Sequence, residues 1–261
     1  MAFKKRALMN GTAGTRELPK PPDEGNIFGT RVFVATPAYD GRVLTDYAIS
    51  LAESCLVGPV NDVFVMASVM GNGAFIDIAR NHFVRLFLQS NCTHLFFIDA
   101  DLRWEPRAFI ELARANKPIC AGAYRKRQEP EEYPIRYVPN PDGTIKIKDG
   151  WIMADRVATG FLCIRRDVIE KMVQLGEWIK VGHDPECPRL FYTKFEPDGR
   201  FIGEDFSFCD DYIRIFKEEI PVWPDFDFVH GERFKGNFHN FLNRKADEED
   251  AKGQASTSAA A

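Results

Sequence analysis

No two cysteines of this chain form a C-x-x-C pair, and no internal repeat is visible. The six cysteines, Cys55, Cys92, Cys120, Cys163, Cys187 and Cys209, are scattered singly, several within apolar runs such as "FLCI" and "PICAGAY". That pattern reads as buried, reduced thiols rather than a disulfide framework or a zinc site. Long apolar runs are missing too. Nothing approaches the roughly 18 to 20 residues of a membrane span, and the N-terminus lacks a signal-type hydrophobic core. The expected location is therefore the cytoplasm, with no membrane span. Positive charge is not in excess either: the net charge is −4, whereas a nucleic-acid partner normally demands a basic face.

The chain does have the means to build a large core. Its 261 residues are 45% hydrophobic and 13% aromatic, and a chain of this size buries close to three quarters of its unfolded surface. Residues 1–29 are basic, then rich in Gly and Pro, and are expected to be flexible; the polar, low-complexity residues 241–261 are expected to be disordered. A single domain is expected over 30–240, with halves at about 30–127 and 128–240.

Within it, "RVFVATPAYDG" reads as a strand ending at Pro37 and Gly41, followed by a helix over Leu44 to Leu56. "DVFVMASV" is a second strand, reaching the glycines at 71 and 73. "AFIDIARNHFVRLFLQS" carries Phe75, Ile78, Ala79, Phe83, Leu86 and Phe87 at helical spacing. "HLFFI" is a third strand, Pro106 to Ala115 a helix entered through proline, and "KPICAGAY" a fourth strand. Strands alternating with helices predict an α/β fold with a mostly parallel sheet flanked by helices and right-handed crossovers. In such sheets ligands bind at the carboxyl ends of the strands.

That is where "THLFFIDADLRWEP" places Asp99 and Asp101, separated by one alanine. Two like charges at a strand tip repel unless something positive lies between them, and a hard divalent ion suits such a pair. A D-x-D sequence also occurs in ordinary loops, but the apolar lead-in favours a metal. An ion held this way commonly completes its coordination with water and substrate phosphates.

Downstream, Glu204 and Asp205 follow a glycine and open an amphipathic helix with Phe208, Tyr212, Ile215 and Phe216 on its apolar stripe. Acids in a first helical turn are favoured by the dipole, so capping and catalysis are both open for this pair. His230 ends the short strand "FDFVH", with Arg233 and Lys235 just beyond. It can be structural, or a ligand for a manganese-like ion with neighbouring cations clamping a phosphate.

Taken in order, "VFVATPAYDG", "IARNHFVRLFLQSNCTHLFFIDADLRWEP", "ATGFLCIRRDVIEKM" and "GEDFSFCDDYIRIFKEEIPVWPDFDFVHG" resemble nucleotide-sugar-dependent glycosyltransferases of the GT-A fold, glycosyltransferase family 2 in particular. The likeness covers most of residues 31–231. It implies a Rossmann-like sheet with a small acceptor-side subregion. Asp99 and Asp101, with Ala100 between them, would meet Mn2+ or Mg2+ and the donor diphosphate, and His230 would be a third metal ligand. Asp205 would be the catalytic base, beside Glu204. Donor contacts would come from Thr36, Pro37, Tyr39, Asp40, Asp77, Arg80, Asn81, Tyr124, Arg125, Lys126, Arg233 and Lys235. Thr159 and Gly160 would face the sugar and acceptor. The donor would be a UDP- or GDP-sugar, and the acceptor a hydroxyl group, as on a glycan.

The first loop reads P-A-Y-D where the family commonly has P-x-Y-N, which leaves the base open. "QEPEEYPIRYVPNPDGTIKIKDGWIMADRV" and "GEWIKVGHDPECPRLFYTKFEPDG" match nothing in it, so the acceptor is hidden. Three rivals stand beside this reading. A haloacid-dehalogenase-type phosphatase would want a small hydroxyl residue soon after the second aspartate, where Leu102, Arg103 and Trp104 stand. A glycoside hydrolase uses two carboxylates but needs no metal pair. A non-catalytic relic would bind nucleotide-sugars without transfer.

Overall fold

The computed structural model describes residues 28–71 and 75–258. Residues 1–27, most of the segment expected to be flexible, and Gly73 lie outside the described residues. The chain begins by alternating: β1 (Thr30–Ala38), α1 (Thr45–Val57), β2 (Val63–Gly71), α2 (Ile76–Gln89), β3 (His94–Ile98), β4 (Leu102–Trp104), α3 (Pro106–Arg114) and β5 (Ile119–Gly122). A strand-rich stretch follows, with β6 (Ile135–Tyr137), β7 (Ile147–Lys148), β8 (Trp151–Val157) and β9 (Phe161–Arg165). After α4 (Arg166–Leu175) come the short strands β10 (Glu177–Ile179), β11 (Cys187–Arg189), β12 (Lys194–Phe195) and β13 (Phe201–Ile202). The last elements are α5 (Glu204–Phe216), β14 (Ile220–Trp223), β15 (Asp227–His230), β16 (Phe234–Asn237) and α6 (Phe238–Ser258).

A nine-stranded sheet runs in the order β2-β1-β3-β9-β5-β14-β8-β6, with β7 paired to β8. All its strands run one way except β8 and β9, which are antiparallel to their neighbours. The expected mixed α/β architecture is therefore present. Every residue of β3 is buried, as a strand covered on both faces must be. The pleat sends Leu95 and Phe97 into the core cluster of Phe33, Phe83 and Phe87 from β1 and α2. Phe96 and Ile98 point the other way, among Tyr47, Trp104 and Phe109 from α1, β4 and α3. A strand packed between two hydrophobic layers is a rigid mount for whatever follows it.

Four expectations need correction. Pro37 does not end β1: the strand runs to Ala38 along β2, and Pro37 lies beyond the last residue paired with β3, so its missing N–H breaks no ladder there. Phe75, placed on the apolar stripe of α2, is 69% exposed, while Arg80, Asn81 and His82 are buried. Residues 241–258, expected to be disordered, lie within α6. Its start docks on the core through Phe238 and Phe241, whose ring centroids stand 4.7 and 5.1 Å from that of Tyr133. Beyond them, the Arg, Lys, Ala and Glu residues are good helix formers. All six cysteines are free, and Cys55 is exposed rather than buried. Among the described residues no helix is long and apolar enough to cross a membrane.

Candidate functional site

The chain leaves β3 in a tight turn, closed by the Leu102 N–H donating to the Asp99 carbonyl at 3.2 Å. This turn brings both aspartates to the sheet's carboxyl edge. The next residues form β4, which pairs with β15 so that Leu102 stands opposite His230. The Gly231 N–H donates to the Asp101 carbonyl at 2.8 Å and closes the corner. A short antiparallel ladder thus carries the histidine to the acidic turn.

Asp99 is held in a ring of hydrogen bonds. Its N–H donates to the Gly160 carbonyl at 3.0 Å, the Gly160 N–H donates to the Tyr124 hydroxyl at 3.1 Å, and that hydroxyl donates to Asp99 Oδ2 at 3.2 Å. A Cβ at Gly160 would collide with both the Asp99 carboxylate and the Tyr124 hydroxyl. Glycine is required there by close approach rather than by backbone conformation. Asp99 Oδ1 lies 3.6 Å from Arg80 Nη2. Burial pushes the Asp99 carboxyl up, with the Arg80 guanidinium offsetting part of that rise.

Asp101 has a different setting. Its Oδ2 meets Arg127 Nη1 at 2.8 Å and its Oδ1 faces His230 Nε2 at 3.4 Å. Burial alone would raise its carboxyl, but His230 and Arg127 hold it below the usual carboxylate range. Burial would likewise lower His230, yet Asp101 and the Arg125 carbonyl carry the imidazole above its ordinary value.

The second acidic pair opens α5. Glu204 is ion-paired to Arg80, whose side chain is only 4% exposed. One buried guanidinium therefore connects the D-x-D turn to the E-D pair. The Asp205 carboxyl is raised, chiefly by burial, with Arg80 pulling it down and the neighbouring charges of Glu204 and Asp99 pushing it up. Arg80, expected beside the nucleotide, is the internal counter-ion of one member of each acidic pair, Asp99 and Glu204.

Several other expected donor contacts have partners within the protein. Asn81 is fully buried, and its Oδ1 accepts from the Leu190 and Phe191 N–H groups, each at 2.9 Å, while Nδ2 donates to the Phe191 carbonyl at 2.7 Å. Its amide ties α2 to the inserted segment through both ends. The Thr36 hydroxyl, also buried, is bonded to that of Tyr47. Arg125 lies beneath the small sheet, donating to the Gln128 carbonyl at 2.8 Å and to Glu129 at 3.0 Å, with its guanidinium 5.3 Å from the Phe234 ring. Lys126 is ion-paired to Glu132. Lys235 shares the outward face of the β4-β15-β16 sheet with Val229 and Arg103, the face opposite His230. Arg233, exposed, lies over the same Phe234 ring at 5.0 Å. Asp77 accepts from the Ile78 N–H at 2.9 Å.

Pro37 lies at the carboxyl end of β1, and Tyr39 (79% exposed) and Asp40 follow it at the open edge. The Ala100 carbonyl is fixed by the Leu44 N–H at 2.9 Å. Thr159 is buried beside Gly160, and its hydroxyl has no hydrogen-bond partner among the described residues. Arg127 is the residue that sequence reasoning passed over. Within the run Arg125-Lys126-Arg127, nothing in the sequence distinguishes the cation that reaches Asp101 from the two that do not.

Among the described residues, no three His, Cys, Asp or Glu side chains are gathered ready to enclose a metal. The expected trio of Asp99, Asp101 and His230 is therefore not assembled, because Asp99 is drawn toward Tyr124 and Arg80. Asp101 and His230 do fit a metal as a pair. A carbonyl oxygen can only accept, so the 2.8 Å bond from His230 Nδ1 to the Arg125 carbonyl puts the proton on Nδ1. In the neutral ring, Nε2 then directs a lone pair at Asp101 Oδ1, which either a second proton or a cation between them must relieve. An ion with bonds of about 2.1 Å holds adjacent ligand atoms roughly 3 Å apart, close to the 3.4 Å observed. The carbonyl anchor on the far ring nitrogen is typical of metal-bound histidines. Charge points the same way: the carboxylates of Asp99, Asp101, Glu204 and Asp205 outnumber the guanidiniums of Arg80 and Arg127.

No protein-family model matches the chain, and no curated protein matches it. Among solved structures it is similar to GalNAc-T7 with UDP, GalNAc and Mn2+ at a TM-score of 0.43 and 10% identity, over 81% of this chain and 45% of that one. It is similar to the inositol-1-phosphate CTP transferase from T. maritima at a TM-score of 0.41 and 9% identity, over 78% of this chain and 90% of that one. A mannose-1-phosphate geranyltransferase from Thermus thermophilus follows at 0.36 and 12% identity, over 55% of this chain and 64% of that one. The chain spans less than half the length of the GalNAc-T7 chain.

Proposed function

We propose that this chain is a divalent-metal-dependent glycosyltransferase of the GT-A type that moves a sugar from a nucleoside-diphosphate donor to a hydroxyl acceptor. The observation that carries the reading is His230 Nε2 set 3.4 Å from Asp101 Oδ1 at the strand tip, with the ring fixed from behind by the Arg125 carbonyl. Asp101 and His230 would hold Mn2+ or Mg2+, with Asp99 beside them. When bound, the ion supplies positive charge to the diphosphate as it leaves.

The chain's own residues supply the rest. Tyr124 and Gly160 hold Asp99 at the sheet edge, so that the turn need not reorganise when charge develops. Asp205 accepts the proton from the acceptor hydroxyl as it attacks the anomeric carbon, inverting the configuration. A carboxyl raised by burial is a stronger base than a solvated one. Glu204, neutralised by Arg80, fixes the helix start that presents Asp205.

The test is a thermal-shift screen of UDP-, GDP- and CMP-sugars with and without manganese, because a ligand that binds only the folded state raises its stability by mass action. At least one donor should stabilise the protein in a manganese-dependent way. Asp101→Asn should abolish that shift and transfer while the protein stays folded. Full activity of Asp101→Asn, or no donor shift with any base, would overturn the assignment. Donor binding without transfer or slow donor hydrolysis would leave the relic instead.

A further inference from the structure

The cation run after β5 divides its work unequally. Arg125 is 9% exposed and pinned beneath Phe234, and Lys126 is committed to Glu132. Arg127 alone of the run turns to the acidic turn, meeting Asp101 Oδ2 at 2.8 Å while its side chain remains 59% exposed. Its stem lies on Gly231, where φ is +66° and a Cβ would stand 3.2 Å from Arg127 Cδ. That glycine also ties its N–H to the Asp101 carbonyl. The corner that fixes the acidic turn is thus also the bed on which the guanidinium rests.

The ion pair is asymmetric. Asp101 is held on both sides and three-quarters covered, whereas Arg127 is on a long, solvated side chain with room to leave. A guanidinium on Asp101 supplies the positive charge that the aspartates need when no metal is bound, and a second cation on the same carboxylate would compete with it. Guanidinium also matches phosphate oxygens in a planar, two-pronged geometry.

We propose that Arg127 is an exchangeable counter-ion: it occupies Asp101 in the metal-free protein and moves to the diphosphate of the donor when metal and nucleotide arrive. This rests on the transferase reading above, and it adds a residue and a direction of exchange. The same side chain opposes binding of the bare metal and favours binding of the metal with diphosphate, so its removal changes the two affinities in opposite senses.

The experiment compares the full chain with Arg127→Met, which keeps the stem on Gly231, and with Arg127→Lys. Free manganese is titrated by its electron paramagnetic resonance signal, first alone and then with inorganic pyrophosphate, and thermal unfolding confirms the fold. Arg127→Met should bind manganese alone about three-fold more tightly and bind pyrophosphate with manganese roughly ten-fold more weakly. Arg127→Lys should compete with the metal as the natural residue does but recover only part of the pyrophosphate affinity, since an ammonium lacks the fork. Unchanged affinities in Arg127→Met, or both moving the same way, overturn the exchange and leave the transferase reading standing. No manganese binding by the unsubstituted chain, either alone or with pyrophosphate, overturns both.

Discussion

The site contains two acidic pairs, and their settings differ. Asp99 and Asp101 stand at the end of a buried strand; Glu204 and Asp205 stand at the start of a helix. Each pair is nevertheless split in the same way. Asp101 and Glu204 each meet a guanidinium closely, from Arg127 and Arg80 respectively, while Asp99 and Asp205 are both pushed up by burial, Asp99 with Arg80 farther off at 3.6 Å. Neighbouring carboxyl groups with different surroundings can take separate roles, one paired to a cation and the other left to act as a base. On the proposed reading, the strand pair would keep a ligand for metal next to a rigidly bonded partner, and the helix pair a structural anchor next to a base. Arg80 belongs to both, so neither pair is electrostatically independent.

The strongest challenge to that comparison is to remove the shared ion. Arg80→Gln leaves Glu204 and Asp99 without their buried partner, and a loss of about 3–5 kcal/mol is expected in urea unfolding. Adding Glu204→Gln should recover part of it. A loss below about 1 kcal/mol would show that the two pairs do not depend on one guanidinium.

Asp205→Asn probes the split within the helix pair. Turnover should fall roughly 100- to 1,000-fold with donor affinity kept, and the variant should melt a few degrees higher at neutral pH. The sign follows from the raised carboxyl. Its favourable contribution to folding is present at low pH and is lost as pH rises through its raised value, so asparagine gains only where aspartate is ionised. The melting advantage should therefore shrink on acidification, and turnover of the natural chain should decline as pH falls through the same raised value. A variant that loses donor affinity but keeps its turnover number would move Asp205 out of the base role.

Asn81→Ala sets Arg80's neighbour against it. Losing the bonds to Leu190 and Phe191 should cost about 1–3 kcal/mol, with nucleotide affinity unchanged within about two-fold. A large loss of affinity at unchanged stability would return Asn81 to the donor site. The smallest effect is expected at Lys235, on the far face of the small sheet. Lys235→Ala should alter stability by less than about 0.5 kcal/mol and leave pyrophosphate affinity unchanged by calorimetry.

Much of this architecture was legible because it is local. The run His94–Ile98 could be recognised as a buried strand from its unbroken apolar character, and Glu204–Phe216 as a helix from its stripe. The acidic turn and the E-D start were visible for the same reason. The short strands β6 and β7 and the docking of α6 were not, since short, largely exposed strands and a polar helix carry little periodic signal. Within the candidate site, Arg80 and Asn81 look alike as polar residues on one helix. Their sites diverge because residues 190–191 pass beside one and Glu204 beside the other.

The sequence by itself determined that two carboxylates sit at a strand tip and two more at a helix start, because covalent adjacency and hydrophobic period are written into the chain. Only the tertiary structure decided which cations answer them. The β4–β15 register brings His230 to Asp101, it turns Lys235 away, and the path of the loop after β5 selects Arg127 over Arg125. These are contacts between distant segments, fixed by backbone pairing and close packing that a local pattern of residues does not contain.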